Sequence, residues 1–425
     1  MVVSVTTSGR IGGTLAAPPS KSMAHRAVLC AALAKGCSHI EHLEFSKDVS
    51  ATLGAVAQLC ADVTEGADSA CITGLGGFKA LNGPIDCCES GSTLRFLIPL
   101  ASLTGQTVTF TGRGRLMERP QLVYKTLWYG RGRFERDPDA GTLIVEGAVQ
   151  PGSYALVGNV SSQFISGLLF ALPLLDKDSI ITIMPPVESR SYIELTRAVQ
   201  AEFGVTSSWK DADTLVVPGG QHYQPCDYTV EGDYSQAAFA AVLGALRGGV
   251  TVTGLSSWTL QGDAAILDVL RRCGAHYAIT DEGITFSEAP LRGVEIDLAD
   301  CPDLGPVLMA LGLMCKGTTV IRNAERLRLK ESDRIEAMEI ELRKLGGDVT
   351  SDGGTITIHG SELHAPDAPL SAHNDHRVAM ALAVLALAAD LPVTIDGAEA
   401  VEKSWPDFWQ ALGALGAEVK EVPNA

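Results

Sequence analysis

The stretch "ERLRLKESDR" (325–334) combines charges in a way that suits an anionic ligand. It contains four cations: Arg326, Arg328, Lys330 and Arg334. Like charges repel one another, so their concentration in a chain of net charge −17 indicates that an anion binds between them. The alternative is a solvated helix face stabilised by Glu–Arg pairs, and this stretch alone favours that alternative.

Six apolar helical segments each begin with a polar cluster. The clusters are "PSKSMAHR" (19–26), "ESGSTLR" (89–95), "VSSQF" (160–164), "DYSQAAF" (233–239), "CPDLG" (301–305) and "NDHR" (374–377). Ser and Asp are ordinary N-caps, and capping explains them without any ligand. It does not explain the cations in these first turns, which oppose the helix dipole: Lys21, Arg26, Arg95 and Arg377. An anion held by backbone amides and cations together would explain them.

More polar helices also begin with charged clusters. These are "MERPQ" (117–121), "VESRSYIEL" (187–195), "RLKESDR" (328–334) and "EKSWPD" (402–407). Taken singly, Arg119 could anchor a turn and Lys403 could lie on the surface. Recurrence at equivalent places favours ligand binding instead.

The elements that must position these residues recur along the chain. Short β-branched strands centre on His39, Val108, Ile181, Val250, Val320 and Val393, spaced 69, 73, 69, 70 and 73 residues apart. Each follows an apolar helix, which we expect to be buried, and precedes an amphipathic one. Two or three strands then close the unit. This periodicity predicts an α/β fold of six helix-strand-helix-strand repeats of about 70 residues.

The repeats also suggest a domain organisation. Segments such as "CITGLGGFKALNGPIDC" (71–87) read as hairpins between units, and the first nineteen residues resemble such a hairpin with no unit before it. If they complete the last unit, residues 1–19 and 231–425 form lobe 1, and residues 20–230 form lobe 2, with three repeats each. The helix N-termini would then line a cleft between the lobes.

Composition excludes several classes of protein. The acidic balance argues against nucleic acid as a partner. No apolar run reaches the roughly 18 residues of a membrane span, and "MVVSVTTSGR" does not read as a signal peptide. Ten cysteines lack CxxC or CxxH spacing, which favours free buried thiols in a reducing cytoplasm over disulfides or a metal site.

Seven motifs resemble, in order and spacing, the 5-enolpyruvylshikimate-3-phosphate synthase family of enolpyruvyl transferases. They are "PSKSMAHRAVLCAAL", "ESGSTLRFL", "MERP", "VSSQF", "LKESDR", "NDHRVAMALA" and "KSWPDFW". The resemblance implies a two-lobed inside-out α/β barrel. It also implies transfer of the enolpyruvyl group of phosphoenolpyruvate to the 5-hydroxyl of shikimate 3-phosphate, through a tetrahedral intermediate and with release of phosphate. No metal or organic cofactor is expected, and we expect a cytoplasmic monomer.

The resemblance also assigns residues. Those expected to bind shikimate 3-phosphate are Lys21, Ser22, Arg26, Ser161, Ser162, Gln163, Ser189, Tyr192, Asp303, Arg326 and Lys330. Those expected to bind phosphoenolpyruvate are Lys21, Gly91, Ser92, Arg95, Arg119, Gln163, Arg334, His376, Arg377 and Lys403. Lys21 is also expected to be catalytic, together with Asp303 as the proton acceptor of the attacking hydroxyl and Glu331 as the proton donor to the methylene carbon.

The assigned chemistry requires opposite protonation states of two carboxyl groups, Asp303 and Glu331. A secondary alcohol is a poor nucleophile and needs a carboxylate such as Asp303 to take its proton. Glu331 must instead be a protonated acid, although its neighbours Lys330 and Arg334 favour the charged form. By composition alone, Asp303 could simply be an N-cap and His376 a capping histidine.

Three features depart from the usual family pattern. Glu89 stands beside the expected phosphate site, Arg326 replaces a residue that is usually neutral, and "TGRGRLMERP" is unusually basic.

Three alternatives stay open. The first is the sister enzyme that acts on a UDP-amino sugar, which usually relies on a loop cysteine that residues 113–119 lack. The second is a non-catalytic, anion-binding repeat protein, and the third is a nucleic-acid-processing relative, which would need a basic surface. Two lobes with like-charged helix ends should also repel when empty, so we expect an open form that closes on shikimate 3-phosphate.

Overall fold

The computed structural model describes residues 1–7, 9–147 and 149–423. They form two compact units, Met1–Pro18 with Gly232–Ala425 (unit 1) and Pro19–Glu231 (unit 2). Each unit has its own apolar core. The chain is mixed α/β, as the repeats predicted.

Twelve α-helices are described. They are α1 (Lys21–Leu33), α2 (Lys47–Leu59), α3 (Gly91–Ala101), α4 (Leu122–Trp128), α5 (Gln163–Ala171), α6 (Arg190–Glu202), α7 (Tyr234–Arg247), α8 (Ala265–Cys273), α9 (Gly305–Met314), α10 (Arg334–Lys344), α11 (His376–Ala389) and α12 (Phe408–Ala414). The odd-numbered helices are the apolar ones of the sequence pattern. In the clearest case, α11, residues 376–388 are all buried.

The strands in unit 2 and the N-terminal segment come first in the chain. They are β1 (Val2–Thr7), β2 (Gly13–Ala16), β3 (Lys35–Glu41), β4 (Ala61–Glu65), β5 (Ser69–Leu75), β6 (Ile85–Asp86), β7 (Val108–Thr111), β8 (Gly132–Asp137), β9 (Thr142–Gly147), β10 (Ser153–Val157), β11 (Ser179–Met184), β12 (Ser208–Trp209), β13 (Thr214–Val217) and β14 (Tyr228–Thr229).

The remaining strands belong to unit 1. They are β15 (Val250–Thr253), β16 (His276–Thr280), β17 (Gly283–Ser287), β18 (Glu295–Asp297), β19 (Thr318–Arg322), β20 (Asp348–Asp352), β21 (Thr355–His359), β22 (Leu370–Ser371), β23 (Val393–Asp396) and β24 (Ala417–Val422). All six predicted strand centres lie in strands, namely β3, β7, β11, β15, β19 and β23.

Six four-stranded sheets share one pattern. Unit 2 contains β14-β3-β5-β4, β6-β7-β9-β8 and β10-β11-β13-β12, and unit 1 contains β2-β15-β17-β16, β18-β19-β21-β20 and β22-β23-β1-β24. In each, a short strand pairs in parallel with the strand that follows a buried helix, and antiparallel strands complete the sheet. The predicted repeat of helix and strand is therefore confirmed.

The predicted hairpins between units are wrong. In "CITGLGGFKALNGPIDC" (71–87), β5 and β6 lie in different sheets, and the same holds for β9 with β10, β13 with β14 and β17 with β18. The antiparallel partner of each longer strand is instead the strand before it, as in β4–β5 and β8–β9. Long connections such as residues 76–84 carry the chain to the next sheet, where a two-residue hairpin turn would have returned it to the same one.

The N-terminal segment serves two sheets. Strand β1 pairs with β23 and β24 and so completes the sixth sheet, with Val2 opposite Val422. Strand β2 pairs in parallel with β15 in the fourth. The first residues therefore close two sheets rather than only the last.

Candidate active site

In unit 1, Asp303 lies where three cations meet. It occupies a 3₁₀ turn just before α9. Its Oδ1 lies 3.1 Å from Lys330 Nζ and 3.1 Å from Arg334 Nη1, and its Oδ2 lies 3.3 Å from Arg377 Nη2. The N-cap position of α9 belongs to Leu304. The carboxylate therefore serves a cation cluster, and the capping alternative does not describe it.

These contacts set the proton affinity of Asp303. The surrounding protein withdraws the carboxyl group from water, which by itself raises its pKa. Arg377, Lys330 and Arg334 outweigh that effect and hold the pKa of Asp303 well below its usual range. Burial is the largest effect on Lys330 and lowers its pKa. The charge of Asp303 raises this pKa, but the charge of Arg334 lowers it further, so the pKa stays below its ordinary value.

Arg334 is the centre of this cluster. Only 2 % of its side chain is exposed, and it contacts three carboxylates: Asp375 (Nε–Oδ2 2.8 Å), Glu331 (Nη2–Oε2 2.7 Å) and Asp303. Burial alone would lower the pKa of the guanidinium, but the three carboxylates raise it above its ordinary value. Arg334 is therefore a permanent cation held among three carboxylates.

Asp375 is fully buried and holds the start of α11 in place. Its Oδ1 accepts the backbone N–H of Arg377 at 2.9 Å, and its Oδ2 accepts the Ser332 hydroxyl at 3.0 Å. The neighbouring His376 is 1 % exposed, with Nδ1 3.9 Å from Asp375 Oδ1. Asp375 thus joins the "NDHR" and "LKESDR" motifs.

Arg377 is held by two further elements. Its Nη2 donates to Ser235 Oγ at 2.8 Å, and its Nη1 donates to the carbonyl of Asp303 at 3.1 Å. Lys403, 6 % exposed, donates to the carbonyl of Asn374 at 2.7 Å. Asn374 has φ 54°, a left-handed conformation uncommon outside Gly that directs this carbonyl toward the lysine.

The four cations of 325–334 have different partners. Lys330 and Arg334 converge on Asp303, whereas Arg328 pairs with Asp333, the N-cap of α10, at 3.1 Å. Arg326 is buried and donates to the carbonyl of Ala299. The alternative of a solvated helix face with Glu–Arg pairs does not describe Arg328, whose partner is an Asp, and two of the four cations form the cluster.

In unit 2, a second group of polar residues forms around α3 and α5. Arg95 Nη1 donates to Gln163 Oε1 at 2.8 Å, and Gln163 Nε2 donates to Ser92 Oγ at 3.0 Å. Arg119 is 8 % exposed, and its Nη1 lies 2.8 Å from where a Cβ on Gly91 would be. The absence of a side chain at Gly91 therefore makes room for the guanidinium. The structure brings together five of the six residues that were predicted for phosphoenolpyruvate in this unit, and the sixth, Lys21, pairs with Asp48 instead.

Lys21 and Arg26 occupy different surroundings on α1. Lys21 Nζ forms an ion pair with Asp48 Oδ2 at 2.7 Å. Arg26 is 2 % exposed, and its Nε and Nη2 donate to Thr196 Oγ1 (2.8 Å) and to the carbonyl of Tyr192 (3.0 Å). Burial lowers the pKa of Arg26 to about 10. The guanidinium joins α1 to α6, and its role toward shikimate 3-phosphate stays a prediction.

The serines assigned to shikimate 3-phosphate open α5 and α6. Ser162 is the N-cap residue of α5, and Ser161 Oγ accepts the backbone N–H of Gln163 at 3.3 Å. Ser189, at the N-cap of α6, is 2 % exposed and has φ 54°. A left-handed conformation at a buried serine costs free energy and is typical of functional positions. Ser22 is near Arg26, whose Nη1 donates to its carbonyl at 2.6 Å.

Glu89, one of the departures, lies in a basic setting. A Cβ on Gly114 would come 2.5 Å from Glu89 Oε2, so the side chain rests against the loop of "TGRGRLMERP". Its charge acts on Arg113, whose pKa is raised mainly by its hydrogen bond with Asp86 and also by Glu89. The extra carboxylate and the extra cations of this loop are therefore neighbours that balance each other.

Three partners of the predicted residues were missed in the sequence: Asp48, Ser235 and Asp375. All three stand in the polar opening of a helix, which is the signal that could have found them. Ordinary capping explains such residues equally well, and Asp375 does cap α11. Only the structure shows that each also holds a cation of the candidate site.

Within the described parts of the chain, none of the helices combines the length and the apolar character needed to cross a bilayer.

The motif assignment agrees with comparisons of the whole chain. Residues 5–412 match the family model of EPSP synthase (3-phosphoshikimate 1-carboxyvinyltransferase). The 3-phosphoshikimate 1-carboxyvinyltransferase of Clostridium kluyveri is 41 % identical over 413 residues, which cover 97 % of each chain. The enzyme of the same name from Clostridium acetobutylicum is 40 % identical over 414 residues, which cover 96 % of each chain.

Solved structures show the same fold. An EPSP synthase from Acinetobacter baumannii matches with a TM-score of 0.79 at 23 % identity, over 99 % of this chain and 100 % of that one. An enolpyruvyl transferase from Streptomyces tendae matches with a TM-score of 0.79 at 19 % identity, over 99 % and 98 %. At these identities the structural matches support the fold alone. The family model and the sequence relatives go further, and by them the chain belongs to the EPSP synthase family.

Proposed function

We propose that the protein transfers the enolpyruvyl group of phosphoenolpyruvate to the 5-hydroxyl of shikimate 3-phosphate and releases phosphate. The observation that carries this proposal is the meeting of Lys330, Arg334 and Arg377 on the carboxylate of Asp303. It places a proton acceptor among cations that suit a phosphorylated substrate. Family membership, and the names of relatives about 40 % identical over nearly the full chain, support the same reaction.

In the proposed addition, Asp303 takes the proton of the 5-hydroxyl while the oxygen forms a bond to C2 of phosphoenolpyruvate. Glu331 gives a proton to the methylene carbon, which becomes a methyl group. In the elimination that follows, this methyl group returns a proton to the Glu331 carboxylate and the double bond forms again. The C–O bond to phosphate breaks, and its electron pair leaves with the phosphate. Proton transfer by a positioned carboxylate contributes about 10²–10⁴-fold to such a rate.

The contacts of Glu331 suggest how it becomes an acid. In the structure its Oε2 lies 2.7 Å from Arg334 Nη2, a contact that favours the carboxylate. We infer that the phosphate of phosphoenolpyruvate takes over this guanidinium. The multiply negative ligand then favours the protonated form of Glu331 beside it. The charge of the substrate would thereby explain how Glu331 can be protonated although Lys330 and Arg334 favour its charged form.

We further propose that the residue sets of the two units act on the same pair of substrates. Phosphoenolpyruvate and shikimate 3-phosphate each carry a phosphate and a carboxylate, so four anionic groups need cations. Unit 2 offers Lys21, Arg95 and Arg119, and unit 1 offers Arg334, Arg377 and Lys403. We also propose that the enzyme works as a cytoplasmic monomer, which sedimentation at one-chain mass would support.

Phosphate release tests the reaction. We expect release from the wild-type protein only when both substrates are present. We expect it to fall steeply in Asp303→Ala (unit 1) and also in Gln163→Ala (unit 2), because each removes a polar group of the proposed site. Release without shikimate 3-phosphate would contradict the proposal, as would activity only with a UDP-amino sugar. Full activity in either variant would contradict the role proposed for that residue.

Gly91→Ala tests the fit around Arg119. The new methyl group would meet the Arg119 guanidinium at 2.8 Å, and the flexible side chain must move away. Because small displacements of binding groups are costly, we expect the KM for phosphoenolpyruvate to rise about 10-fold, with a smaller change in the KM for shikimate 3-phosphate.

The matched control is Gly54→Ala in α2, where the added methyl group meets open space. There we expect unchanged kinetics and a gain in the free energy of unfolding of about 0.5–1 kcal/mol. Equal KM values in the two variants would exclude the proposed role of Gly91.

A further inference from the structure

Three side chains with metal-binding chemistry meet on the solvent face of a sheet in unit 2. Cys37 and His39 lie two residues apart on β3, so they share a face, and the register places Cys71 of β5 opposite His39. The Cys37 Sγ lies 3.9 Å from His39 Nε2, and all three ligand atoms lie within 4.8 Å of one another. Among residues 1–7, 9–147 and 149–423, this is the one such group of His, Cys, Asp or Glu side chains.

The exposure of the two thiols is unusual for their residue type. Cys is among the most frequently buried residues, and six of the ten cysteines here are buried. Cys37 is exposed, and Cys71 is partly exposed. Alternation along β3 buries Ser38 and Ile40 instead and turns Cys37 and His39 outward. Packing therefore does not account for this pair of thiols.

A carboxylate lies beside the three side chains. Asp227 precedes β14, which pairs in parallel with β3, and its Oδ1 accepts the backbone N–H of His39 at 3.2 Å. Strands β3 and β5 thus supply two sulfurs and one nitrogen, and Asp227 holds the backbone of β3 beside them.

A disulfide fits this arrangement less well than a metal ion. Cys37 pairs with Thr73, so it lies diagonal to Cys71, a relation in which two residues are usually about 7–8 Å apart and their Cβ atoms only somewhat closer. A disulfide needs Cβ atoms about 3.8 Å apart. In a tetrahedral zinc site with Zn–S near 2.3 Å and Zn–N near 2.0 Å, the ligand atoms are about 3.5–3.8 Å apart. The 3.9 Å between Cys37 Sγ and His39 Nε2 is close to that spacing.

We propose that Cys37, His39 and Cys71 bind a zinc ion, with a water molecule in the fourth position. Thiolate and imidazole ligands select zinc over magnesium or calcium, and the two thiol protons leave as the metal binds. The ion would join β3 to β5.

The test uses the full-length protein, reduced and freed of metal with a chelator. Titration with Co²⁺ should give one equivalent of tetrahedral cobalt with a thiolate-to-cobalt charge-transfer band, and Zn²⁺ should displace it. We expect Cys37→Ser and Cys71→Ser each to weaken zinc binding about 100-fold or more, because each removes one of three protein ligands. Asp227→Asn, which changes a neighbouring carboxylate that is not a ligand, should weaken it far less.

The matched control is Cys88→Ser, which removes a partly exposed thiol of the same unit outside the cluster. It should bind cobalt as the wild-type protein does. Zinc should also raise the unfolding temperature of the wild-type protein and of Cys88→Ser, but not that of Cys71→Ser. Absence of the charge-transfer band in the reduced wild-type protein would overturn the proposal, as would equal zinc affinity in Cys71→Ser and Cys88→Ser.

Discussion

Asp303→Asn is expected to lower kcat by about 10²–10⁴-fold, the usual contribution of a positioned general base. The amide has the size of the carboxylate but cannot take the proton of the 5-hydroxyl. It also no longer neutralises Lys330, Arg334 and Arg377, whose contacts with Asp303 span 3.1–3.3 Å. We therefore expect phosphoenolpyruvate to bind as tightly as before or more tightly.

Steady-state kinetics and calorimetric titration separate these two effects. Asp300→Asn, which changes an exposed carboxylate three residues earlier, should leave kcat unchanged. If Asp303→Asn lowered the affinity for phosphoenolpyruvate as strongly as it lowered kcat, Asp303 would be a structural residue rather than the proton acceptor.

The same contacts predict a pH dependence. The pKa of Asp303 lies well below its usual range, so the carboxylate stays ionised in the free enzyme down to acidic pH. Titration of Asp303 should therefore not lower kcat/KM between pH 7 and about pH 5. Bound phosphates would engage the same cations and raise the pKa of Asp303, so the acid limb of kcat should lie at higher pH than that of kcat/KM. Coincident limbs would contradict this coupling.

Arg334→Gln is expected to destabilise unit 1 by about 3–5 kcal/mol, the usual effect of removing one partner of a buried ion pair. The loss would leave the carboxylates of Asp303, Glu331 and Asp375 together without their shared cation. The fully buried Asp375 also anchors α11 through the Arg377 amide. Loss of Arg334 should therefore loosen this helix as well as weaken binding of phosphoenolpyruvate.

The hydrogen-exchange rates of the α11 backbone amides measure this loosening of the helix, and they report on unit 1 alone. The matched control is Arg322→Gln, which removes an exposed ion pair with Glu295 and should change exchange little. Equal protection of the α11 amides in the two variants would show that other groups stabilise the Asp375 carboxylate when Arg334 is absent. The proposed central role of Arg334 would then be wrong.

The sequence predicted the repeating elements because their signals are local. A continuous apolar helix such as α11 and a β-branched strand such as β19 can be read within a dozen residues. The pairing of strands is not local. The segment 71–87 has the composition of a hairpin, yet β5 and β6 join different sheets, because partners are chosen by neighbouring units that the segment does not contain.

The candidate site was likewise predictable only where its signals are local. Motifs identified Asp303, Arg334 and Arg377, but the contacts of Asp375 depend on the folding together of residues that are 41 positions apart in the sequence. The cluster of Cys37, His39 and Cys71 was likewise invisible in the sequence, where cysteine spacing suggested no metal. Cross-strand register brings Cys71 to His39, and register cannot be read from spacing along one strand.

The discontinuity of unit 1 has a consequence for biosynthesis. Unit 2 is contiguous, so all of its strands have been made once residue 231 has left the ribosome. Strand β1 is made before unit 2, yet its partners β23 and β24 are made after it. For most of translation this apolar strand is an unpaired edge, the kind of segment that other chains can capture. The nascent chain is therefore most vulnerable to aggregation before β24 emerges. Chaperone protection of β1 would matter most in that interval.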